Sequence, residues 1–209
     1  MDAVILCGGQ SRRMGQNKAF LPVNGRPLIE GQIEALRRVF ERILLVTRAP
    51  HEYEHLTKDA SATGGRAVEV VEDAIAGGGA MVGIYSGLLT VRGRAGFFVA
   101  CDMPFLNEGL IRFMIGLSVK EDVVIPKSPL GLEPTHAVYS KACLAPMERQ
   151  MREGDFKIIN FFPHVAVRVV SDAEVRQHDP PGLALVNINT QDEYKRYSAA
   201  MLRPQGAAK

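Results

Sequence analysis

Short apolar runs alternate along the chain with longer segments in which apolar residues recur at helical spacing. The runs fall at residues 3–7, 43–47, 67–71, 97–101 and 122–125, each the length of a strand buried on both faces. From Pro27, the residues Leu28, Ile29, Ile33, Leu36, Val39 and Phe40 mark one helical face, with Glu30, Glu34, Arg37 and Arg38 on the others. Residues 82–91 and 108–119 read as two more helices. A brief extended segment over 20–23 ends at the turn signal Asn24-Gly25, and Pro50 with His51 opens a polar helical stretch. Strands alternating with helices predict βαβ units. The fold class is therefore α/β, three layers of Rossmann-like type around a mostly parallel central sheet.

Beyond residue 126 the pattern loosens. Residues 133–139 read as a strand, 141–153 as a helix that stops at Gly154, 158–162 as a short apolar piece, and 165–170 and 183–186 as strands. Asn187-Ile188-Asn189-Thr190 then leads into a last helix from Gln191. No long linker, repeat or low-complexity segment interrupts this order. It predicts a single domain over 1–202 and a frayed tail over 203–209.

Composition narrows the class without identifying it. The 209 residues are 46% hydrophobic and 23% charged, as in an ordinary globular domain, with a net charge of only +2. That balance, without a dense Lys/Arg run, argues against nucleic acid as a partner. Cys7, Cys101 and Cys143 have no C-x-x-C spacing, so small buried thiols in a reducing compartment are expected rather than a disulfide or zinc framework. No secretory leader pattern and no run near 18 apolar residues is present, which predicts a cytoplasmic chain without membrane attachment.

The chemistry is concentrated after the first strand. Gly8 and Gly9 break the apolar run, and Arg12, Arg13, Gly15 and Lys18 follow within ten residues. Glycines let the backbone approach a ligand closely, successive N–H groups make an anion-binding concavity, and the arginines and lysine add full charges. The reading is a cradle for polyphosphate, against the plainer possibility of a glycine-rich turn with solvated arginines. It is not a P-loop: five residues separate Gly9 from Gly15, and Ala19 rather than a hydroxyl residue follows Lys18. Nor is it a dinucleotide fingerprint.

Other polar groups sit where a parallel sheet would bring them to the same edge. Asp102 directly follows the apolar strand 97–101, a position able to hold Mg²⁺ or simply to cap the next element. Asp73 ends the strand 67–71 and faces the same cleft or caps a loop. A second glycine-rich loop, residues 76–83, contains Gly79 and Gly83. Asn187 and Asn189 alternate and so can point to one side. Asn189 or Thr190 could equally be a helix cap with Glu193 completing a capping box. His136 is weighed as a packed residue before any chemical role.

The stretch Leu6-Cys7-Gly8-Gly9-x-Ser11-x-Arg13-Met14-Gly15-x-x-Lys18, followed by Pro22-x-x-Gly25-x-Pro27-Leu28-Ile29, resembles the signature loop of the MobA-like nucleotidyltransferases, and most closely that of the molybdenum cofactor guanylyltransferases. The resemblance implies transfer of GMP from GTP to the terminal phosphate of molybdopterin with release of pyrophosphate, assisted by Mg²⁺ on Asp102. It implies catalytic roles for Lys18, Asp102, Arg12 and Arg13. Nucleotide contacts would come from Leu6, Cys7, Gly8, Gly9, Ser11, Met14, Gly15, Lys18, Thr47, Asp73, Gly79, Gly83 and Asp102. Asn187 and Asn189 would belong to the pterin side. GTP and molybdopterin are the implied partners, with possible contacts to other cofactor-biosynthesis proteins and a monomeric or weakly oligomeric state. The chain departs from the family pattern at Ala80, where a proline is usual, and at Lys157, near the place of a usual arginine. Cytidylyl relatives carry Ala-Ala-Gly and Asp-Gln-Pro where this chain has Cys7-Gly8-Gly9 and Asp102-Met103-Pro104, so GTP is favoured over CTP. Sugar-phosphate acceptors and a non-catalytic nucleotide-binding scaffold are the remaining alternatives.

Overall fold

The computed structural model describes residues 1–8, 17–23, 25–61, 67–75, 77–190, 192–193 and 196–197. The predicted tail over 203–209 lies outside them. The central strand is β1 (Asp2–Leu6), in which all five positions are buried. Such a strand has no solvent face, so it must lie mid-sheet with helices on both sides. It pairs in parallel with β4 (Arg42–Thr47) and β6 (Ala95–Ala100), and β4 pairs in parallel with β5 (Ala67–Glu72). On the other side β6 runs antiparallel to β9 (His136–Ser140), which neighbours β7 (Val123–Ser128) and then β10 (Val167–Val170). The short β8 (Gly131–Leu132) returns against β7, and β2 (Pro22–Val23) and β3 (Arg26–Pro27) form a separate hairpin. The sheet is thus mostly parallel, as the alternation of elements predicts.

Helices cover both faces. Alternate β1 residues divide the core: Ala3 and Ile5 pack toward α1 (Leu28–Arg37), α3 (Glu108–Leu117) and α5 (Asp172–His178), whereas Val4 and Leu6 pack toward α2 (Gly79–Thr90) and α4 (Leu144–Arg152). Each fully buried aliphatic or aromatic side chain contributes roughly 1.5–3 kcal/mol. Two polar residues break the apolar pattern and tie layers together. The buried Arg42 donates to Asp2 on β1 at 2.8 Å and grips Glu69 on β5 with two bonds of 2.7 and 2.5 Å. Gln32, on the core face of α1, donates to the carbonyls of Ala100 and Met103, both at 2.9 Å.

Several boundaries differ from those the pattern predicts. The helix expected at 82–91 starts at Gly79. Gly77, Gly78 and Gly79 all have positive φ, so the chain completes its turn within three residues. At Gly78 a Cβ would lie 2.3 Å from Val82 and 2.6 Å from Phe156, so this position requires glycine for space as well. The strand expected over 183–186 is instead a turn. Gly182 has φ +68°, Val186 N–H donates to the Leu183 carbonyl at 3.0 Å, and the buried Asp179 carboxylate accepts from Ala184 N–H at 2.7 Å. Residues 158–162 belong to a 3₁₀ helix, Ile158–His164, and the stretch from Pro50 is 3₁₀ as well. The helix α5 was not predicted. Ser171 caps it, with Glu174 closing the capping box. Among the described residues no helix is long and apolar enough to cross a membrane.

Candidate active site

Because β6, β1, β4 and β5 run in parallel, the residues that follow them emerge along one edge, where open α/β sheets bind ligands. In spatial order these are Asp102 after β6, Gly8 after β1, Arg48 after β4 and Asp73 after β5. The backbone locks the row together. Cys101 N–H donates to the Leu6 carbonyl at 3.2 Å, Cys7 N–H to Val46 at 2.8 Å and Asp73 N–H to Thr47 at 3.0 Å. A cleft of about 520 Å³ opens along this edge, lined by Gly8, Lys18, Arg48, Asp73, Gly77 to Gly79, Gly83, Asp102, Asn187 and Asn189, among others.

Lys18 is placed by its own short 3₁₀ turn, Lys18–Phe20. Asn17 caps that turn, accepting from Ala19 N–H at 3.1 Å, and its amide donates to Glu52 at 2.7 Å and to the Tyr53 hydroxyl at 2.9 Å. Phe20 packs on the Tyr53 ring with centroids 5.2 Å apart. The lysine ammonium then donates to Asn189 Oδ1 at 2.7 Å and to Asp102 Oδ2 at 3.4 Å. Burial pushes the Asp102 carboxyl above its ordinary range, and the Lys18 charge pulls it back.

The carboxyl-terminal segment is drawn in by the backbone: Ile188 N–H donates to the Asp102 carbonyl at 2.8 Å. Asn187 and Asn189 are therefore held on either side of that bond, in an irregular segment rather than on a strand. Thr190 is the helix cap. Its hydroxyl accepts from Glu193 N–H at 3.1 Å, and the Glu193 carboxylate accepts from the N–H groups of Asn189 and Thr190. The cap thus leaves the Asn189 side chain to reach Lys18, so the capping box and the cleft contact coexist. Asn187 meets Glu133, whose carboxyl is raised by burial and also accepts from the Ser128 hydroxyl at 2.8 Å.

At the opposite end, Asp73 is pushed up by burial, with Arg48 and Ser86 opposing the shift. Among the described residues its Oδ1 is buried with no hydrogen-bond partner in the geometry, although Ser86 lies close enough to lower the carboxyl. The glycines around it permit the close approach: a Cβ at Gly8 would stand 3.3 Å from Asp73 Oδ2, and one at Gly83 would stand 3.1 Å from Leu6. Arg48 Nη2 donates to the Gly8 carbonyl at 2.9 Å.

Of the residues singled out from the sequence, Leu6, Gly8, Lys18, Asp73, Gly79, Gly83, Asp102, Asn187 and Asn189 line one cleft. Gly9, Ser11, Arg12, Arg13, Met14 and Gly15 lie outside the described residues. Thr47 is not at the cleft. It is buried, and its hydroxyl accepts from Ala49 N–H at 3.1 Å. Alternation along β4 explains this, since the residue exposed at a strand end is the next one, Arg48. Cys7 is likewise buried beneath the floor, and burial raises its thiol well above the ordinary range and that of Cys101 to about 12. All three cysteines are free and buried. His136 packs edge-on against Phe97 with centroids 5.1 Å apart, in the core rather than the cleft. Lys157 does not line the cleft either. Arg48 was overlooked, although its place directly after an apolar strand was a usable signal.

A glycine-lined cleft at the carboxyl ends of parallel strands, with a lysine–aspartate pair at one end, defines a nucleotide-binding α/β protein. The profile of the MobA-like NTP transferase domain matches residues 3–170, and the chain belongs to that family. It is 35% identical over 206 residues to the molybdenum cofactor guanylyltransferase of Desulfosudis oleivorans, spanning 96% of this chain and 97% of that one. It is 36% identical over 190 residues to a probable molybdenum cofactor guanylyltransferase of Pelotomaculum thermopropionicum, spanning 91% and 88%. The fold matches the crystal structure of molybdopterin-guanine dinucleotide biosynthesis protein A from Archaeoglobus fulgidus with a TM-score of 0.80 at 27% identity, over 96% of this chain and 98% of that one.

Proposed function

We propose that this chain transfers GMP from GTP to the terminal phosphate of molybdopterin. The observation that carries the reading is the meeting of Lys18, Asp102 and Asn189 at one end of a glycine-lined cleft, in a chain whose relatives bear the guanylyltransferase name. The acceptor phosphate oxygen attacks the α-phosphorus, and the bond from that phosphorus to the β-phosphate oxygen breaks. Pyrophosphate leaves with the electron pair. The nucleophile is already an anion, so no strong general base is needed. Catalysis rests on positioning and on compensating phosphate charge. Lys18 supplies a mobile cation beside the reacting phosphates, and Asn189 fixes where it points. Arg12 and Arg13 would add donors around the departing pyrophosphate.

Among the described residues no group of three or more His, Cys, Asp or Glu gathers as a metal site. One carboxylate nevertheless fits Mg²⁺, which takes only one or two from the protein and its other ligands from phosphate and water. Asp102 would hold it, with the Asn187 and Asn189 amides as nearby oxygen donors. When bound, the ion would neutralise charge on the phosphate oxygens. The chain would work in the cytoplasm, as a monomer or weak oligomer, receiving its pterin from other biosynthetic proteins.

The test is pyrophosphate release measured with GTP, CTP, ATP and UTP, each with and without Mg²⁺ and molybdopterin. Release with GTP that requires both additions is the expected result. Release only with CTP would move the chain to the cytidylyl branch, and GTP binding without release would make it a scaffold.

A further inference from the structure

The segment that follows α4 has no part in the chemistry derived above, yet it packs against the wall of the cleft. Gly77, Gly78 and Gly79 line that wall, and all three have positive φ. Three consecutive glycines have more backbone freedom than any other run of the same length, so their conformation must be imposed by what packs on them. Gly78 also brings no side chain to cap α2. The surface that meets the turn from outside α2 is the Phe156 ring. A Cβ at Gly78 would stand 2.6 Å from its Cδ1 and 2.7 Å from its Cε1.

Phe156 is itself pinned from both sides. Gly154, at φ +78°, turns the chain out of α4, and Asp155 N–H donates back to the Gln150 carbonyl at 3.2 Å. The Asp155 carboxylate accepts from Lys157 N–H at 2.9 Å and from the Asn160 amide at 2.7 Å. The Gln150 amide donates to the Lys157 carbonyl at 2.8 Å and reaches the Met81 sulfur, in the first turn of α2, at 3.9 Å. The segment thus touches the start of α2 at two points, through Phe156 and through Gln150. Phe156 remains 39% exposed, so it sits at the rim and its removal leaves little cavity in the core. We propose that Phe156 is a positioning residue for nucleotide binding: its ring holds the turn Gly77–Gly78–Gly79 in the one conformation that leaves the cleft open to a nucleotide. Lys157, its neighbour, then serves through its backbone, as the donor and acceptor that fix the ring.

This inference rests on the reading that the cleft binds GTP, and one arm of the experiment needs no nucleotide. Amide hydrogen exchange of the ligand-free full chain is followed at Val82 and Gly83, the first positions able to hydrogen-bond within α2. Dissociation constants for GTP with Mg²⁺ are measured by calorimetry. Both are compared for wild type, Phe156→Ala, Phe156→Leu and Asp155→Ala. Phe156→Ala is expected to speed exchange at both amides and to weaken GTP by about 10-fold, the factor that follows if the turn is competent a tenth of the time. Phe156→Leu keeps an apolar surface and should recover most of that loss. Asp155→Ala loosens the segment but keeps the ring, so its loss should be the smaller. Turnover of Phe156→Ala at saturating GTP should stay near that of wild type, because Lys18 and Asp102 lie at the other end of the cleft. Unchanged exchange in Phe156→Ala overturns the inference, and so does faster exchange with unchanged GTP affinity. A fall in saturated turnover together with a lower urea midpoint overturns it as well, making Phe156 a support of the fold at large. A wild-type chain that does not bind GTP refutes the guanylyl reading, and with it the nucleotide role of Phe156, whatever the exchange shows.

Discussion

Lys18 and Asn189 are separated by 171 positions in the sequence and meet through a 2.7 Å hydrogen bond, with Asp102 Oδ2 3.4 Å from the same ammonium. The bond joins an early loop to a late segment of the chain at one end of the cleft, so the charge expected to stabilise the triphosphate is aimed by the carboxyl-terminal segment. Removing one such charge-stabilising group costs about 10²–10³-fold in turnover. Lys18→Ala should lose that much in pyrophosphate release. Asn189→Ala keeps the cation but loses its aim and one nearby amide oxygen, so its deficit should be smaller than that of Lys18→Ala. A Lys18→Ala chain with near-normal turnover would remove Lys18 from the mechanism.

Gln32 supplies a second prediction. Its amide is the donor for the Ala100 and Met103 carbonyls that bracket Asp102. Gln32→Leu fills the space but strands the buried Met103 carbonyl, at a cost of about 1–3 kcal/mol, whereas the Ala100 carbonyl keeps the Met103 N–H at 3.2 Å. Urea melts should show a loss of that order, with reduced turnover because the Asp102 loop relaxes. Unchanged stability would mean that the Met103 carbonyl finds another donor.

How much of this was legible beforehand follows from where the information lies. The parallel strands were readable because full burial on both faces leaves an uninterrupted apolar run, as in β1. The shared edge of Gly8, Asp73 and Asp102 then followed from strand direction alone. The turn over 183–186 was not readable, since Leu183, Ala184, Leu185 and Val186 form an apolar run whose conformation is set by the Asp179 carboxylate and by Gly182. Helix α5 was missed although Ser171-Asp172-Ala173-Glu174 spells a capping box, because so short a helix shows little periodicity. Thr47 is named from the resemblance, but alternation along β4 buries it and turns the next residue, Arg48, to the cleft.

The helix α2 rests on the sheet through a glycine with no room to grow. A Cβ at Gly87 would lie 2.6 Å from the buried Phe98 ring and 2.9 Å from Val4, whereas one at Gly116 in α3 meets nothing within 4 Å. Alanine is intrinsically favoured over glycine in helices by up to about 1 kcal/mol, but overpacking a core costs roughly 1–3 kcal/mol. Gly116→Ala should therefore raise the urea midpoint, and Gly87→Ala should lower it. Equal shifts in both would show that α2 can move off the sheet at no cost.

The buried His136 gives the fold a weakness to mild acid. Desolvation lowers its pKa from 6.5 to about 4, and neither ring nitrogen has a hydrogen-bond partner among the described residues. Between those values the unfolded chain binds a proton that the folded chain does not. Stability therefore falls as the pH drops from about 6.5 toward 4, by about 3 kcal/mol in total for this group. Asp73, Asp102 and Glu133, whose carboxyls are raised by burial, work in the opposite sense, but they are the same in wild type and variant. In His136→Phe any constant packing penalty is likewise independent of pH. The difference in unfolding free energy between wild type and this variant should thus shift by about 2–3 kcal/mol between pH 7 and pH 4.5, with wild type losing ground as acid is added. A difference that stays flat across that range would mean that the histidine is charged or solvated in the native state.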